Sequence, residues 1–153
     1  MDIFYVERQK NFIKPLVVKL SNYTKTVFDD SFTKSIKGNP DEFNGAVEFY
    51  VESYKYFSHI FNKLMDEIDL DDYEGKIDNE LFSIIRDLYF NLCLYVDNNI
   101  RMSEIVLQQT RPSLFMLLDK SSKVYDYQSD NTTENIQSLH KEMVYRFNEL
   151  FPE

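Results

Sequence analysis

Turn-forming residues are scarce in this chain: only three of its 153 residues are glycine and four are proline. A β-sandwich or barrel needs a turn about every 8–12 residues, and glycine and proline supply many of these turns. Long helices need far fewer turns, and apolar residues recur here at intervals of three and four along several segments. The sequence therefore predicts an all-α fold, with residues 1–153 forming a single domain built as a compact bundle of five to six helices.

Start signals and apolar periodicity place the first helices. The first helix is predicted over Phe12–Phe28, with Pro15 in its first turn, where proline is tolerated. The second begins after the capping residue Asn39, next to a proline, and runs to about Asp66. The third begins near Asp78, whose side chain can cap it.

The third helix is predicted to be central, because it is apolar on nearly all sides between Leu88 and Val96. The residues Asp97-Asn98-Asn99 mark a candidate kink or break in it. A fourth helix is expected to open at Pro112, and the last is capped by Asn131. The heptad-spaced face of the third helix comprises Leu81, Ile85, Leu88, Leu92, Tyr95, Asn99, Met102 and Val106.

Negative charge is concentrated between Asp66 and Glu80, a stretch called the acidic segment below. It holds eight carboxylates and one lysine, a net charge of −7 against −9 for the whole chain. Charge this dense repels itself unless a cation or a basic partner meets it. The residues predicted to bind a partner here are Asp66, Glu67, Asp69, Asp71, Asp72, Tyr73, Glu74 and Asp78.

A narrow apolar stripe on the second helix is a second candidate surface. It consists of Phe49, Tyr56 and Ile60, and it lies beside the main apolar face. A helix that is apolar on two sides is either central in a bundle or presents one side to a partner. The pattern favours burial of this stripe over contact with a partner, and the three residues are nevertheless included in the predicted partner-binding surface.

Part of the acidic segment resembles an EF-hand calcium loop. Asp69, Asp71 and Glu80 would stand at positions 1, 3 and 12, between two predicted helices. Tyr73 occupies position 5, however, and Gly75 falls at position 7, whereas the turn of a calcium loop needs glycine at position 6. The offset makes specific calcium binding a minor alternative to a solvated linker or a docking surface.

The sequence has no recognisable catalytic or cofactor-binding motif. The two histidines, His59 and His140, fall on different predicted helices without the spacing of metal ligands. The single cysteine, Cys93, excludes an internal disulfide, and its apolar surroundings predict a buried side chain. No glycine-rich phosphate-binding motif occurs. We therefore predict no catalytic residues, no metal site and no cofactor.

Net charge limits the kinds of partner that are expected, and the lack of long apolar runs indicates the location. A net charge of −9 argues against direct binding to nucleic acid or to an anionic membrane, which both require an excess of Lys and Arg. Neither a signal peptide nor an apolar run of about 18 residues is found, so a cytoplasmic protein is expected. The residue usage is that of an AT-rich genome, viral or low-GC bacterial.

These observations predict a non-enzymatic, acidic protein-binding module. Its carboxylates would imitate a phosphate backbone and block a basic, nucleic-acid-binding surface of a partner protein. By analogy of composition, this is the physical character of phage anti-defence inhibitors and of immunity or antitoxin proteins. Two alternatives stay open: a small-molecule sensor or enzyme with a cavity in the aromatic helical core, and a structural homo-oligomeric helical bundle.

Overall fold

A computed structural model describes residues 3–28, 43–110 and 132–152. Helices account for 90% of these residues, which contain no strand, so the all-α prediction is confirmed. The helices of this part of the chain are α1 (Ile3–Val27), α2 (Phe43–Glu67), α3 (Asn79–Thr110) and α4 (Thr132–Leu150), with a 3₁₀ turn at Leu70–Asp72.

The number of helices in the whole chain stays a prediction. The helix starts predicted at Pro40 and Pro112 lie outside the described residues, as does the capping residue Asn131. The end of α2 at Glu67 agrees with the predicted end within one residue. Among the described helices, none combines the length and the apolar character needed to cross a membrane.

Helix α1 is longer than the sequence pattern indicates. It begins at Ile3 instead of Phe12, and Pro15 lies inside it instead of in its first turn. A proline within a helix removes one backbone hydrogen bond, here the one to the carbonyl of Asn11. Pro15 lies on the exposed side of α1, where water can reach the backbone. The predicted helix start is therefore wrong, because the proline is accommodated on the solvent side.

Helix α3 begins where the sequence predicts. The backbone N–H of Leu81 donates to Asp78 Oδ2 at 3.0 Å, which is the expected capping hydrogen bond. The helix then runs to Thr110 as one element, so the predicted break at Asp97-Asn98-Asn99 is wrong, and the alternative of a kink there stays a prediction. Asp97 is itself buried among apolar neighbours along the helix.

The buried face of α3 does not follow the predicted heptad spacing. Met102 is 58% exposed, whereas Leu107 is fully buried. The buried positions recur instead at intervals of eleven residues. At about 3.6 residues per turn, eleven residues overshoot three turns by about 20°, and seven residues fall short of two turns by about 20°. The drift per residue is therefore smaller for the eleven-residue repeat, and it follows one side of a long helix more closely than a heptad does. The two buried rows are Leu81, Leu92, Ser103 and Ile85, Val96, Leu107.

The described residues fall into two compact units. The first contains residues 3–28, 65–92 and 132–152, and within it α1 packs against α4. The second contains residues 43–64 and 93–110. The single domain over residues 1–153 stays a prediction. Core side chains of the first unit include Ile13, Leu16, Leu20, Leu81, Ile85, Leu88, Leu92, Ile136 and Met143; those of the second include Tyr54, Phe61, Leu64, Cys93, Leu94, Ile100 and Leu107.

Candidate functional site

The acidic segment has an ordered backbone within the first unit. Asp69 caps the 3₁₀ turn, because its Oδ1 atom accepts a hydrogen bond from the Asp71 backbone N–H at 3.1 Å. The N–H groups of Tyr73 and Glu74 both donate to the carbonyl of Leu70, at 3.0 and 3.1 Å. Gly75 follows with φ = 73°, a left-handed conformation that side-chain-bearing residues adopt only with strain. The segment is therefore folded as two successive tight turns.

Helix α1 holds the beginning and the middle of the segment. The Tyr23 hydroxyl donates to Glu67 Oε2 at 2.6 Å, and Lys19 Nζ donates to the backbone carbonyl of Glu67 at 3.3 Å. Burial raises the pKa of Tyr23, and the bond to Glu67 raises this pKa further, so the phenol remains a proton donor. The Tyr73 ring lies against the Phe12 ring, with 4.9 Å between the ring centroids.

Helix α4 holds the end of the segment through Arg146. The guanidinium donates from Nε and Nη2 to the two carboxylate oxygens of Asp78, at 3.1 and 3.0 Å. It also lies 3.4 Å from Glu80 and pairs with Glu149. The hydrogen bonds from Arg146 hold the pKa of Asp78 below its ordinary value. Asp78 thus caps α3 and binds Arg146 at the same time, so the role of its carboxylate is to stabilise the fold.

The remaining acids of the segment face the solvent together. Asp66, Asp69, Asp71, Asp72 and Glu74 are all exposed, whereas Ile68 and Ile77 point into the core of the unit. The structure therefore brings most of the predicted acidic residues onto one ordered stretch. Glu67 and Asp78 belong to the same stretch but are tied to α1 and α4.

The three residues of the apolar stripe lie in the second unit. Phe49 and Tyr56 are half-buried, and each ring contacts the next residue along α2 edge to face, at 5.3 Å to Tyr50 and 5.2 Å to Phe57. Ile60 is only 4% exposed. Ile60 is therefore placed in the core, where a partner would not reach it, and Phe49 and Tyr56 keep part of their surface.

The sequence pattern does not mark Arg146, and it marks Asp97 only as part of a candidate interruption of α3. Arg146 contacts an acid 68 residues away, and nothing local distinguishes it from Lys141, the other cation of α4. Asp97, in the second unit, has a fully buried side chain whose Oδ2 atom lies 3.2 Å from Arg101 Nε. Neither oxygen of Asp97 has a hydrogen-bond partner among the residues that the structure describes. The apolar residues Leu94, Val96 and Ile100 on either side of Asp97 were the available signal.

The two histidines have different surroundings. His59 is exposed on α2. His140 is half-buried on α4, with Nε2 3.0 Å from the Ser21 hydroxyl of α1. Burial and the neighbouring charge of Lys25 lower the pKa of His140, so the neutral imidazole is favoured. His140 therefore contributes to the packing of α1 against α4.

The chemistry available to the acidic segment is that of fixed carboxylates. Within the described ranges, no group of three or more His, Cys, Asp or Glu side chains is arranged to hold a metal ion. Comparison of the chain with protein-family models, with curated proteins and with solved structures gives no match. The function of the segment is therefore argued from its own residues, and exposed carboxylates recognise cationic groups.

Proposed function

We propose that this protein is a non-enzymatic binding protein whose acidic segment docks on a basic surface of another protein. The observation that carries the proposal is the ordered presentation of five exposed carboxylates between Asp66 and Glu74. A connector that serves only to be soluble needs no such order. Here the chain is fixed by Tyr23, Lys19 and Arg146 from two other helices.

Order matters because binding is weakened by the entropy lost when mobile groups are fixed. The contacts from α1 and α4 fix the backbone of the segment during folding, so this part of the entropy is not lost again when a partner binds. Concentrated charge on such a frame also speeds diffusional encounter with an oppositely charged surface. The arrangement therefore favours fast, salt-sensitive association with a Lys- and Arg-rich protein.

We further propose that the partner uses its basic surface to bind nucleic acid, so that docking inhibits it, as an immunity, antitoxin or anti-defence protein would. Spaced carboxylates compete with phosphates for the same Arg and Lys side chains. The proposal takes residues 1–153 to be one domain of five or six helices that acts in the cytoplasm. It requires no catalytic residue and no cofactor.

The test compares two variants that change the net charge equally. The first carries Asp66→Asn, Asp71→Asn, Asp72→Asn and Glu74→Gln, and it leaves the capping residue Asp69 in place. The control neutralises four exposed acids outside the segment: Glu7, Glu48, Glu52 and Glu134. Both variants should fold, because exposed charges contribute little to stability.

Proteins captured from lysate of the native host are identified, and association rates are then measured with the purified partner over a range of ionic strength. We expect the segment variant to associate about tenfold more slowly and with a flatter salt dependence, and the control to change little. A duplex DNA or RNA should compete with the wild-type protein for the partner. Equal association rates for all three proteins would refute the proposal.

A further inference from the structure

A groove of about 670 Å³ lies within the first unit, between the first turns of α3 and the second half of α4. Its half-buried apolar residues include Ile84 from α3 and Leu139 from α4, and the ring of Tyr145, 71% exposed, stands at its edge. The rest of the lining is polar, and most of it consists of exposed charged residues. An apolar floor with a charged rim is the arrangement found where one protein receives an apolar side chain of another.

The rim is acidic. The lining carries four carboxylates and two cations. At one end, Arg146 is shared among Asp78, Glu80 and Glu149, so one guanidinium meets three carboxylates and the cluster keeps a net charge of −2. Glu142 adds an exposed carboxylate further along α4. Basic groups of a partner are therefore favoured around the apolar floor.

The length of the groove fits a helix. From Glu80 to Asp87 the lining runs about 10 Å along α3, and from Leu139 to Glu149 it runs about 15 Å along α4, at the rise per residue of a helix. These lengths correspond to two to three helical turns. Apolar residues at intervals of three and four on one side of such a helix would lie along the floor, as amphipathic helices do in other grooves.

We propose that this groove seats a basic amphipathic helix of the partner protein, with apolar side chains on Ile84 and Leu139 and with Lys or Arg facing Glu142 and the cluster at Arg146. The inference rests on the proposed function and extends it, since Glu80 ends the acidic segment and also lines the groove. The acidic segment then accelerates encounter, and the groove prolongs the complex. A nucleic acid is disfavoured as occupant because the rim has the same sign of charge.

The probe is a synthetic peptide of about 14 residues, roughly four helical turns, with leucines on one face and lysines on the other. A second peptide has the same composition with the leucines scattered, and a third carries Glu in place of Lys. Binding is followed by fluorescence anisotropy of the labelled peptides, and the site is mapped by backbone amide chemical shifts of the full chain. We expect the first peptide to bind in the groove, and the other two to bind at least about tenfold more weakly.

Paired variants on α4 locate the site without disturbing the core. Glu142→Lys reverses a rim charge, and Glu134→Lys makes the same change at an exposed position outside the groove. Leu139→Ala truncates the floor, and Val144→Ala truncates an exposed apolar residue beside it. We expect the two groove variants to weaken peptide binding by about tenfold, and their controls by less than about twofold.

Three results would overturn the inference: equal binding of the scattered peptide, chemical shift changes confined to residues 66–74, or equal effects of Glu142→Lys and Glu134→Lys. The measurements also distinguish failure of the groove proposal from failure of the docking function. If Glu142→Lys and Leu139→Ala leave the dissociation rate of the captured partner unchanged while the segment variant still slows association, the groove is refuted and the docking function stands. If the segment variant has no effect on association, the docking function itself is refuted.

Discussion

Replacing Asp97 by Asn should stabilise the protein at neutral pH. The Asp97 side chain is fully buried in α3, and Arg101 lies 3.2 Å away without the geometry of a hydrogen bond. Burial raises the pKa of Asp97 to about 6 from its ordinary 3.8. The charge of Arg101 lowers this pKa by less than burial raises it, and the charge of Glu104 adds a smaller increase. The folded protein thus holds a carboxylate in surroundings that favour the neutral acid.

The size of the effect follows from the shift. One pKa unit corresponds to about 1.4 kcal/mol, so ionising Asp97 at pH 7 destabilises the folded state by at most about 3 kcal/mol. Asparagine removes the charge but keeps a buried amide, and it deprives Arg101 of its counter-ion, which offsets part of the gain. We expect Asp97→Asn to raise the free energy of unfolding at pH 7 by about 1 kcal/mol.

The pH dependence gives the sharper test. Because the pKa of Asp97 is higher in the folded state, the folded protein binds more protons between about pH 4 and pH 6, and this group's contribution to stability falls as the pH rises through that range. The gain from Asp97→Asn should therefore grow from about pH 4 to pH 7. His140, whose pKa is lowered, produces the opposite slope below its ordinary pKa, but it is present in both proteins and cancels in their difference.

The assay is urea unfolding of both proteins at several pH values over this range, with Asp87→Asn on the same helix as the control for an exposed aspartate. The control should change stability by less than about 0.5 kcal/mol. A loss of more than about 1 kcal/mol in Asp97→Asn at pH 7, or a difference from wild type that is independent of pH, would refute the reasoning. Either result would mean that Arg101 fully compensates the buried charge.

Three further pairs of variants test the fold in chemical denaturation. Leu92→Ala should destabilise the protein by about 2–5 kcal/mol because the side chain is fully buried, and Phe90→Ala, at a residue 43% exposed, should destabilise it much less. Gly75→Ala should lower stability by about 1 kcal/mol although no atom lies within 4 Å of the added methyl group, because φ is positive; Gly75→Asn should cost less. Asp78→Ala removes the cap and the ion pair and should lower the free energy of unfolding by about 1–3 kcal/mol, whereas Asp78→Asn keeps the cap. The contribution of the ion pair should be lost as the pH falls below about 4, because the carboxylate of Asp78 then becomes protonated.

The sequence predicts those parts of the fold that depend on neighbouring residues. The start of α3 is marked by a side chain that caps it, and the end of α2 by the loss of apolar periodicity, and both are confirmed. The start of α1 was missed because proline was assigned to the first turn, where it is merely favoured. The heptad pattern fails for the buried face beyond Asp97 because it spans 26 residues, from Leu81 to Val106, long enough for the drift to move Met102 into solvent.

In the candidate site too, the sequence predicts the local features but not the contacts between distant residues. The exposure of Asp71, Asp72 and Glu74 could be expected from composition alone, since unpaired acids remain in water. The side chains that hold the segment in place could not be expected from the sequence, because Tyr23 and Arg146 lie 44 and 68 residues from the acids they contact. A single sequence contains no record of such pairings.

The burial of Cys93 makes it a built-in reporter on the second unit. It is the only cysteine of the chain and is 3% exposed. A thiol reagent can reach the sulfur only when the surrounding residues open, so the rate of labelling measures the frequency of that opening under native conditions. The second unit can therefore be followed by one chemical reaction, with no engineered probe, while a partner or a peptide is bound elsewhere on the chain.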